Sequence, residues 1–352
     1  MKEYIDYQLK GNNTFGIPAL CDRFIEYAGI DELKNLYARN LFEGKWMSIG
    51  CGANLLFCDD YHGVIIHSVA RQVEIREEND RDLLVRAEAG LVLDDFIAQA
   101  VDNGWGGMEN LSAIPCSVGA APVQNVGAYG VEAKDVVESV LVFDTRDGSA
   151  RTFTNAECAF GYRNSFFKTH PEYVVVSVDF RLTKKGNWQL RLDYGNLRSA
   201  LSPQFSESDD ALREIREAVC RIRHEKLPDP AVIGSAGSFF KNPVVDCAVV
   251  DRLLLDYPKM PFYEMGEGRK IPAGWMIEQS GWKGKRMGNA GVYEKQALVL
   301  VNLGGASGKE VWRLAQNIVD SVREKFGVEI SPEVIKVSDL GPVNLFGPQA
   351  IS

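Results

Sequence analysis

The sequence predicts an α+β protein made of two α/β units and a small N-terminal cap. Short apolar runs of alternating polarity, typical of β-strands, are mixed along the chain with longer segments of helical periodicity. The helix-like GKEVWRLAQNIVDSVREKFG at 308–327, for example, follows closely on the strand-like ALVLVNL at 297–303. A chain of 352 residues is also long enough for two hydrophobic cores.

The first half is rich in strand patterns. GVIIHSV at 63–69 and LLVRAEAG at 83–90 are predicted strands, and LVLDDFIAQAVDNGW at 91–105 is a predicted amphipathic helix. VVESVLVFDTRDGSARTFT predicts a hairpin that turns at Asp147–Gly148, because Asp-Gly is a favoured hairpin turn. YVVVSVDFRLTKK at 173–185 closes this half as a further strand.

The second half begins at a polar segment. SESDD at 206–210 predicts a boundary and the start of a helix, which continues through ALREIREAVCRIRHEKL. A second unit follows, with helical patterns in DCAVVDRLLLDY at 246–257 and AGWMIEQSGW at 273–282. The predicted strand at 297–303 and the predicted long helix at 308–327 complete this unit.

The charge and the apolar pattern exclude two broad classes. A formal net charge of −9 argues against a general nucleic-acid binder, so we predict no nucleic-acid partner. The N-terminal MKEYIDYQLKGNN is polar and does not resemble a secretory signal. The longest uncharged run, 110–131, is broken by Pro115 and Pro122, so we predict no membrane insertion.

The cysteine pattern predicts reduced thiols. Seven cysteines, at positions 21, 51, 58, 116, 158, 220 and 247, are scattered and odd in number, which is typical of a cytoplasmic protein. Cys51, Cys58, His62 and His67 lack the close C-x2-C pairing of a structural zinc site. No metal site is predicted.

Two glycine-rich segments are candidate phosphate-binding loops. GCGANLLF at 50–57 lets successive backbone N–H groups point at an anion, but Leu55 breaks the G-x-G-x-x-G pattern and a tight turn is an equal interpretation. IPCSVGAAPVQNVGAYG at 114–130 is suited to close approach to a pyrophosphate and a flat ring, or to a buried crossover loop. Two such loops in one strand-rich domain make a dinucleotide site as good an interpretation as a structural role.

Ser238, in GSAGSFFKNP at 234–243, raises the question of a catalytic serine. The hydrolase signature G-x-S-x-G requires glycine where Phe240 stands, and only four histidines are present to supply a base. Ser238 is therefore predicted to act by some chemistry other than nucleophilic attack.

A series of motifs in a fixed order carries a family resemblance over nearly the whole chain. They are NTFGI at 13–17, GCGANLLF, NLSAIPCSVGAAPVQNVGAYG, GYRNSFFK at 161–168, LDYGNL at 192–197, KLPDP at 226–230, GSFFKNP, AGWMIEQ, QALVLVN and SPEV at 331–334. In that order the chain resembles the UDP-N-acetylenolpyruvoylglucosamine reductases, flavoenzymes of bacterial cell-wall precursor synthesis. QNVGAYG and the segment around Tyr263 resemble the longer of two family variants. Cys116 stands where the family loop usually has glycine, and Ala121 replaces another small residue.

The resemblance implies a vanillyl-alcohol-oxidase/PCMH-type FAD-binding domain followed by a smaller α+β substrate-binding domain. The implied divisions are a cap and FAD-binding domain at 1–188, a connecting segment at 189–210, a substrate-binding domain at 211–328 and a segment at 329–352 that returns to the active site. The implied reaction is NADPH-dependent reduction of UDP-N-acetylglucosamine enolpyruvate to UDP-N-acetylmuramate through FAD. We expect a cytoplasmic monomer with non-covalent FAD, because neither loop contains a histidine for a covalent link.

The resemblance assigns three catalytic residues. Hydride arriving at the methylene carbon of the enolpyruvyl group pushes negative charge onto the neighbouring carbon and the carboxylate, which must be stabilised and then protonated. Arg163 would bind the carboxylate, Glu333 would lie near it in protonated form, and Ser238 would donate the proton. From the residues alone, a surface ion-pair partner is the favoured interpretation of Arg163, and a solvated helix-start residue is that of Glu333.

The resemblance also assigns binding residues. For the diphosphate and uridine it implies Tyr194, Lys226, Asn242, Tyr263 and Gln296. For FAD it implies a larger set, comprising Gly50, Cys51, Gly52, Ala53, Asn54, Leu55, Ile114, Pro115, Ser117, Gly119, Asn125, Gly127, Ala128, Tyr129 and Arg223. A Gly52→Val variant is expected to be soluble but colourless, because the side chain would block backbone approach to the cofactor.

Two other functions are alternatives to the reductase. An FAD oxidase or dehydrogenase of the same superfamily, acting on another alcohol or hydroxy acid, explains the two loops but not GSFFKNP, KLPDP and SPEV together. A non-enzymatic flavin-binding module would have no need of Arg163, Ser238 and Glu333 as a set.

Overall fold

The computed structural model describes residues 1–206, 210–339 and 341–343. Its helices in these residues are α1 Ile30–Ala38, α2 Leu93–Asp102, α3 Leu197–Ala200, α4 Ala211–Lys226, α5 Cys247–Asp256, α6 Ala273–Gln279 and α7 Gly308–Phe326. The predicted segment 329–352 extends past this range, and 344–352 lie outside the described residues.

The strands come in two runs along the chain. The first run is β1 Lys2–Gln8, β2 Leu20–Tyr27, β3 Trp46–Ile49, β4 Leu55–Phe57, β5 Tyr61–Ser68, β6 Val73–Glu78, β7 Asp82–Glu88, β8 Gly127–Ala128, β9 Val131–Glu132, β10 Val137–Asp144, β11 Ala150–Thr154 and β12 Tyr173–Thr183. The second run is β13 Gly234–Ser238, β14 Val244–Asp246, β15 Tyr263–Met265, β16 Gly268–Lys270, β17 Arg286–Met287, β18 Ala290–Val292, β19 Val299–Asn302, β20 Ile335–Ser338 and β21 Gly341–Val343.

The chain divides into two compact units. The first contains residues 1–7, 21–51 and 62–225, and the second contains 8–20, 52–61 and 226–352. This division differs from the predicted boundaries at 188 and 211. Helix α4 belongs almost wholly to the first unit, where its residue Leu212 lies in the same buried cluster as the five-stranded sheet.

The first unit contains a four-stranded sheet, β1-β2-β5-β3, and a five-stranded sheet, β11-β10-β12-β7-β6. The predicted strands at 63–69, 83–90 and 173–185 are confirmed as β5, β7 and β12. The predicted hairpin is β10–β11, and Gly148 has φ +73° in its turn, a conformation that favours glycine. Helix α2 begins with acidic residues in its first turn, which complement the helix dipole.

The second unit contains the sheets β13-β19-β18-β17, β14-β16-β15 and β21-β20-β4. Helix α7 begins at a capping box formed by Ser307 and Glu310 and ends at Gly327, which has φ +65°. One face of α7 lies in the core of the unit, which also contains Phe15 and Phe239. In the residues described, no helix combines the length and apolar character needed to cross a bilayer.

Strand β13 carries Ser238, and its first residue lies against an early segment of the chain. A Cβ at Gly234 would lie 2.1 Å from the carbonyl oxygen of Phe15, and Ser235 N–H donates to Thr14 O at 3.0 Å. Phe15 is fully buried, and its ring meets that of Phe239 edge-on with centroids 6.2 Å apart. The position of β13 is therefore fixed by backbone contact with residues 14–15.

This contact predicts that Gly234→Ala destabilises the protein. The new methyl group would overlap backbone that cannot rotate away, and such overpacking costs about 1–3 kcal/mol. Gly11→Ala is the matched control in the same unit, because a Cβ there would meet nothing within 4 Å. Urea unfolding of both variants measures the difference, and equal free energies of unfolding would contradict the assignment.

Candidate active site

The first glycine-rich loop changes unit between Cys51 and Gly52. In the first unit, a Cβ at Gly50 would lie 2.3 Å from the Ser117 hydroxyl oxygen and 3.6 Å from the Ala120 Cβ. The two loops that the sequence marks as candidates are therefore packed against each other at Gly50 and Ser117. Their contact requires glycine at position 50.

Gly52 needs to be glycine for a reason that the sequence does not reveal. It has φ +64°, and a Cβ there would lie 2.0 Å from the carbonyl oxygen of Asn12. A valine at this position would collide with protein backbone before it reached any ligand. The expected soluble but colourless Gly52→Val variant is thus not supported, because the substitution would disturb the fold of the second unit itself.

The second loop is held by buried side chains and by close backbone contacts. Asn125 is fully buried with φ +44°, and its side-chain amide donates to the Glu132 carboxylate and to Gly161 O, both at 3.0 Å. A Cβ at Gly119 would lie 2.6 Å from the Ala89 Cβ. The side chain of Asn125, predicted to contact the cofactor, is thus engaged within the protein.

Arg163 extends toward this loop from a neighbouring turn. Its Nη2 donates to Gly127 O at 3.3 Å, and its guanidinium carbon lies 5.5 Å from the centroid of the Tyr162 ring. A Cβ at Gly127 would lie 2.9 Å from the Glu132 Cγ and 3.4 Å from Arg163 Nη1. Glycine at 127 therefore leaves room for the Glu132 side chain, which packs beside the guanidinium.

The end of the second loop meets Tyr194. Tyr129 has φ +48° and is half-buried, and burial raises the pKa of its hydroxyl. A Cβ at Gly130 would lie 3.3 Å from the Tyr194 Cβ. Tyr194 itself is 57% exposed, so its ring is accessible. The remaining predicted cofactor contacts of this loop are Ile114 and Ala128, which are half-buried, and Pro115, which is exposed.

Sequence reasoning missed Asn110, which fixes Tyr129. Asn110 is fully buried and donates from Nδ2 to Tyr129 O at 2.8 Å and to Arg191 O at 2.7 Å. Because its two donors satisfy carbonyls from two distant segments, Asn110 holds the loop end against residue 191. Asn110 is the first residue of the NLSAIP motif, but the motif does not specify that its side chain binds the carbonyls of residues 129 and 191, so local pattern offers no signal for this role.

Helix α4 carries two half-buried arginines with different partners. Arg216 forms a bidentate pair with Asp94. Burial tends to raise the pKa of the Asp94 carboxyl, but hydrogen bonds from Arg216 and from the Ala113 N–H lower this pKa below its usual value. Arg223 donates only from Nε, to Ala113 O at 3.2 Å, and burial lowers its pKa. Among the described residues, nothing accepts a hydrogen bond from the Nη groups of Arg223.

A half-buried guanidinium whose Nη groups have no described hydrogen-bond acceptor fits an anionic ligand. Burying a cation is costly unless a charge and hydrogen bonds compensate. The Nη groups of Arg223 are two fixed donors beside the second loop, suited to bind a pyrophosphate bidentately. The residues present therefore fit the diphosphate of FAD.

In the second unit, Ser238 and Glu333 come together although they are far apart in sequence. The Glu333 N–H donates to Phe239 O at 2.7 Å, one residue after Ser238, and Phe240 forms an isolated bridge with Pro332. Ser238 is exposed, and no described residue bonds its hydroxyl. Gly237 has φ +65°, and a Cβ there would meet nothing within 4 Å, so this side of the strand is open.

Asn54, predicted as a cofactor contact, helps to place Glu333. Its Nδ2 donates to Glu333 O at 3.2 Å, and its own carbonyl accepts from Ile335 N–H at 2.9 Å. Strand β4, which begins at Leu55, then pairs in parallel with β20. The end of the first glycine-rich loop, Ala53 to Leu55, is thereby joined to the SPEV segment.

Asn242 and Gln296 lie at the start of helix α6. Asn242 Oδ1 accepts from Ala273 N–H at 2.9 Å, which orients its Nδ2 group away from the helix without a described partner. Gln296 Oε1 accepts from Leu298 N–H at 3.3 Å and lies 3.2 Å from a Cβ built on Gly274. Both side chains thus keep NH2 donors available in one region.

The two remaining predicted substrate residues are exposed. Tyr263 is 57% exposed on β15, where it pairs with Lys270, whose Nζ lies 5.9 Å from the ring centroid. Strand β16 also pairs with β14, which begins two residues after Asn242. Tyr263 therefore lies on one outer strand of this small sheet, and Asn242 lies just before the other. Lys226 is exposed at the end of α4.

Comparison with known proteins shows which family the chain resembles throughout. The family model for the UDP-N-acetylenolpyruvoylglucosamine reductase C-terminal domain matches residues 229–337, and the FAD binding domain model matches 28–154. The UDP-N-acetylenolpyruvoylglucosamine reductase of Bacteroides fragilis is 47% identical over 93% of this chain and 98% of its own. That of Pseudomonas aeruginosa is 44% identical over 92% of this chain and 96% of its own.

A solved structure supports the fold. The crystal structure of the same-named reductase from Thermus caldophilus covers 95% of this chain and 98% of its own, with a TM-score of 0.67 and 23% identity. The predicted order of domains, an FAD-binding domain followed by a second α+β domain, is confirmed.

The unpaired Nη groups predict that Arg223→Gln weakens FAD binding. A hydrogen bond to a charged group contributes about 1.5–3 kcal/mol, so affinity should fall about 10- to 100-fold. The matched control is Arg213→Gln, an exposed arginine on the same helix whose pair with Asp102 spans 3.5 Å. Titration of each apoprotein with FAD, followed by flavin fluorescence, gives the two affinities. Equal affinities would remove Arg223 from the cofactor site.

Proposed function

The chain belongs to the family of UDP-N-acetylenolpyruvoylglucosamine reductases, and on that premise we propose how its residues carry out the family's reaction. It reduces UDP-N-acetylglucosamine enolpyruvate to UDP-N-acetylmuramate with NADPH, in peptidoglycan precursor synthesis. When bound, FAD would supply the hydride chemistry that connects NADPH with the enolpyruvyl double bond.

The observation that carries the proposal is the approach of Glu333 to the strand end at Ser238. Once hydride has reached the methylene carbon, the neighbouring carbon is a strong base. The exposed Ser238 hydroxyl donates its proton to that carbon. A hydroxyl is a weak acid, but transfer to a carbanion is downhill, and Gly237 leaves the space in front of it open.

The carboxylate of the enolpyruvyl group takes the developing negative charge. Arg163 binds it, because a guanidinium matches a carboxylate in shape and in charge. Glu333 lies near the same carboxylate, and its proton offsets the repulsion that two neighbouring anions would otherwise suffer. Preorganised groups of this kind stabilise the charged intermediate at no reorganisation cost.

The nucleotide part of the substrate binds through the second set of residues. Asn242 and Gln296 donate from their NH2 groups to the diphosphate, and Lys226 adds a positive charge. Tyr194 and Tyr263 offer hydroxyls and exposed ring faces to the diphosphate and the uridine. The loops at 50–55 and 114–129, together with Arg223, hold FAD.

The state and place of the enzyme are the remaining parts of the proposal. The chain acts as a monomer in the cytoplasm, without a nucleic-acid partner. All seven cysteines are unpaired, as expected of a reducing compartment. Sedimentation equilibrium at micromolar concentration tests the monomer, and a dimer mass would contradict it.

Asn242→Asp separates the structural and binding roles of this residue. Aspartate keeps an oxygen for the Ala273 N–H but removes the NH2 donor and adds a negative charge. The affinity for UDP is expected to fall about 10-fold or more, since a hydrogen bond to a charged group contributes about 1.5–3 kcal/mol. Asn317→Asp adds the same charge on the exposed face of α7 and serves as control. Calorimetry with UDP makes the comparison, and equal affinities would exclude Asn242.

Ser238→Ala separates the two half-reactions. Flavin reduction by NADPH requires no proton from Ser238 and should stay intact, whereas re-oxidation by the enolpyruvyl substrate should slow about 10²- to 10⁴-fold. Ser238→Cys should restore part of the rate, because a thiol also carries a transferable proton. Ser235→Ala, on the same strand but buried, is the matched control.

Single-turnover absorbance of the flavin measures both halves. If alanine at 238 slows both equally, Ser238 only positions other groups. If it slows neither, the acid is elsewhere and Glu333 becomes the candidate. If wild-type enzyme reduced by NADPH is not re-oxidised by the substrate at all, the proposed reaction itself is wrong.

A further inference from the structure

Arg163 occupies a backbone conformation that arginine rarely adopts. Residues Gly161–Asn164 form a tight turn in which Gly161 N–H donates to Asn164 O at 2.9 Å and Asn164 N–H donates back to Gly161 O at 3.1 Å. Arg163 is the third residue of this turn and has φ +52°. Glycine or asparagine usually fills such a position, because a larger L-residue is strained there. A strained residue persists only where its surroundings hold it.

Three side chains stabilise this turn, and each donates a hydrogen bond to a different backbone carbonyl. The buried amide of Asn125 donates to Gly161 O at 3.0 Å, where the turn begins. Lys168 donates from Nζ to the carbonyl of Arg163 itself at 2.9 Å. Ser165, just after the turn, donates to Val123 O at 2.7 Å. Two of these bonds connect the turn to the second glycine-rich loop.

The amide of Asn125 is fully used by these contacts. Besides Gly161, its Nδ2 donates to Glu132, and its Oδ1 accepts from Lys134 N–H at 3.0 Å. Glu132 is also the residue whose Cγ lies nearest a Cβ built on Gly127, beside the Arg163 guanidinium. Asn125 thus ties together the loop, the turn and the residue that borders the guanidinium.

We propose that Asn125 and Lys168 are positioning residues that hold Arg163 in its left-handed conformation and so aim its guanidinium at the substrate carboxylate. The proposal rests on the proposed function, which gives Arg163 that role. In this proposal the Asn125 side chain does not make the cofactor contact that the sequence predicted, but supports the turn that carries Arg163. Neither residue needs to touch substrate or FAD.

The test uses the FAD-bound enzyme with Asn125→Gly and Lys168→Met. Glycine tolerates the φ of +44° at position 125, so this variant removes the amide without adding backbone strain. Lys184→Met is the matched control, since Lys184 also donates from Nζ to a backbone carbonyl, Asn79 O at 2.8 Å, elsewhere in the first unit. If Asn125→Gly fails to fold, Lys168→Met still decides, because it reaches the same turn from a half-exposed position.

Three readouts separate positioning from general damage. Re-oxidation by the enolpyruvyl substrate should slow about 10- to 100-fold in both variants, the usual effect of a misplaced group, while flavin reduction by NADPH is unchanged. Calorimetry should show weaker binding of the enolpyruvyl substrate but unchanged binding of UDP-N-acetylglucosamine, which has no carboxylate for Arg163. In an Arg163→Ala background, adding either substitution should change the re-oxidation rate by less than about twofold.

Several results would overturn the proposal. The first is that both variants behave like Lys184→Met. Another is that they slow re-oxidation by the same factor whether or not Arg163 is present. Loss of bound flavin from Asn125→Gly would return that side chain to the cofactor site. These outcomes are distinct from failure of the proposed function, in which wild-type enzyme would not be re-oxidised by the substrate.

Discussion

The packing of Phe15 against strand β13, within the second unit, is the constraint on which the candidate acid depends. Its backbone oxygen leaves no room for a side chain at Gly234, its ring packs on Phe239, and Asn302 Nδ2 donates to its carbonyl at 2.9 Å. Strand β13 is fixed between these contacts, and Ser238 is the last residue of that strand. An early segment of the chain therefore sets the position of a residue more than two hundred places later. The packing is close, so small changes in side-chain volume there alter stability.

Three arginines of the first unit differ in whether a carboxylate of the protein accepts their hydrogen bonds. Arg216 is satisfied by the Asp94 carboxylate, and Arg86 by Asp179 with a bidentate pair at 2.7 and 2.8 Å. Burial lowers the pKa of Arg223, and the nearby Asp94 carboxylate offsets this effect only in part. A half-buried cation whose Nη groups have no acceptor among the described residues is suited to an anionic ligand, because the cost of burial must be offset when the site is in use.

Three of the non-glycine residues with positive φ lie in the segments assigned to function. Asn125, Tyr129 and Arg163 all have positive φ, and each is held by buried or half-buried polar side chains rather than by glycine. Gly161 O accepts from Asn125, and Tyr129 O from Asn110. These hydrogen bonds stabilise backbone conformations that would otherwise be unfavourable, and they restrict the backbone positions from which the Arg163 guanidinium and the Tyr129 phenol extend. Preorganisation of this kind is what an active site requires to stabilise charge.

The sequence alone determined most elements and the chemistry of the candidate site. Local periodicity predicts β5, β7, β12, α2 and α7, because each pattern lies within one short window, and the ordered motifs give Arg163, Ser238 and Glu333 as the candidate catalytic residues. Only the tertiary structure showed that residues 8–20 and 52–61 belong to the second unit and that Gly52 is required by the backbone of Asn12. It likewise decided that the Asn125 amide serves the turn of Arg163. The reason is that these contacts join segments far apart in the chain, and no local pattern specifies which distant carbonyl or backbone a residue will meet.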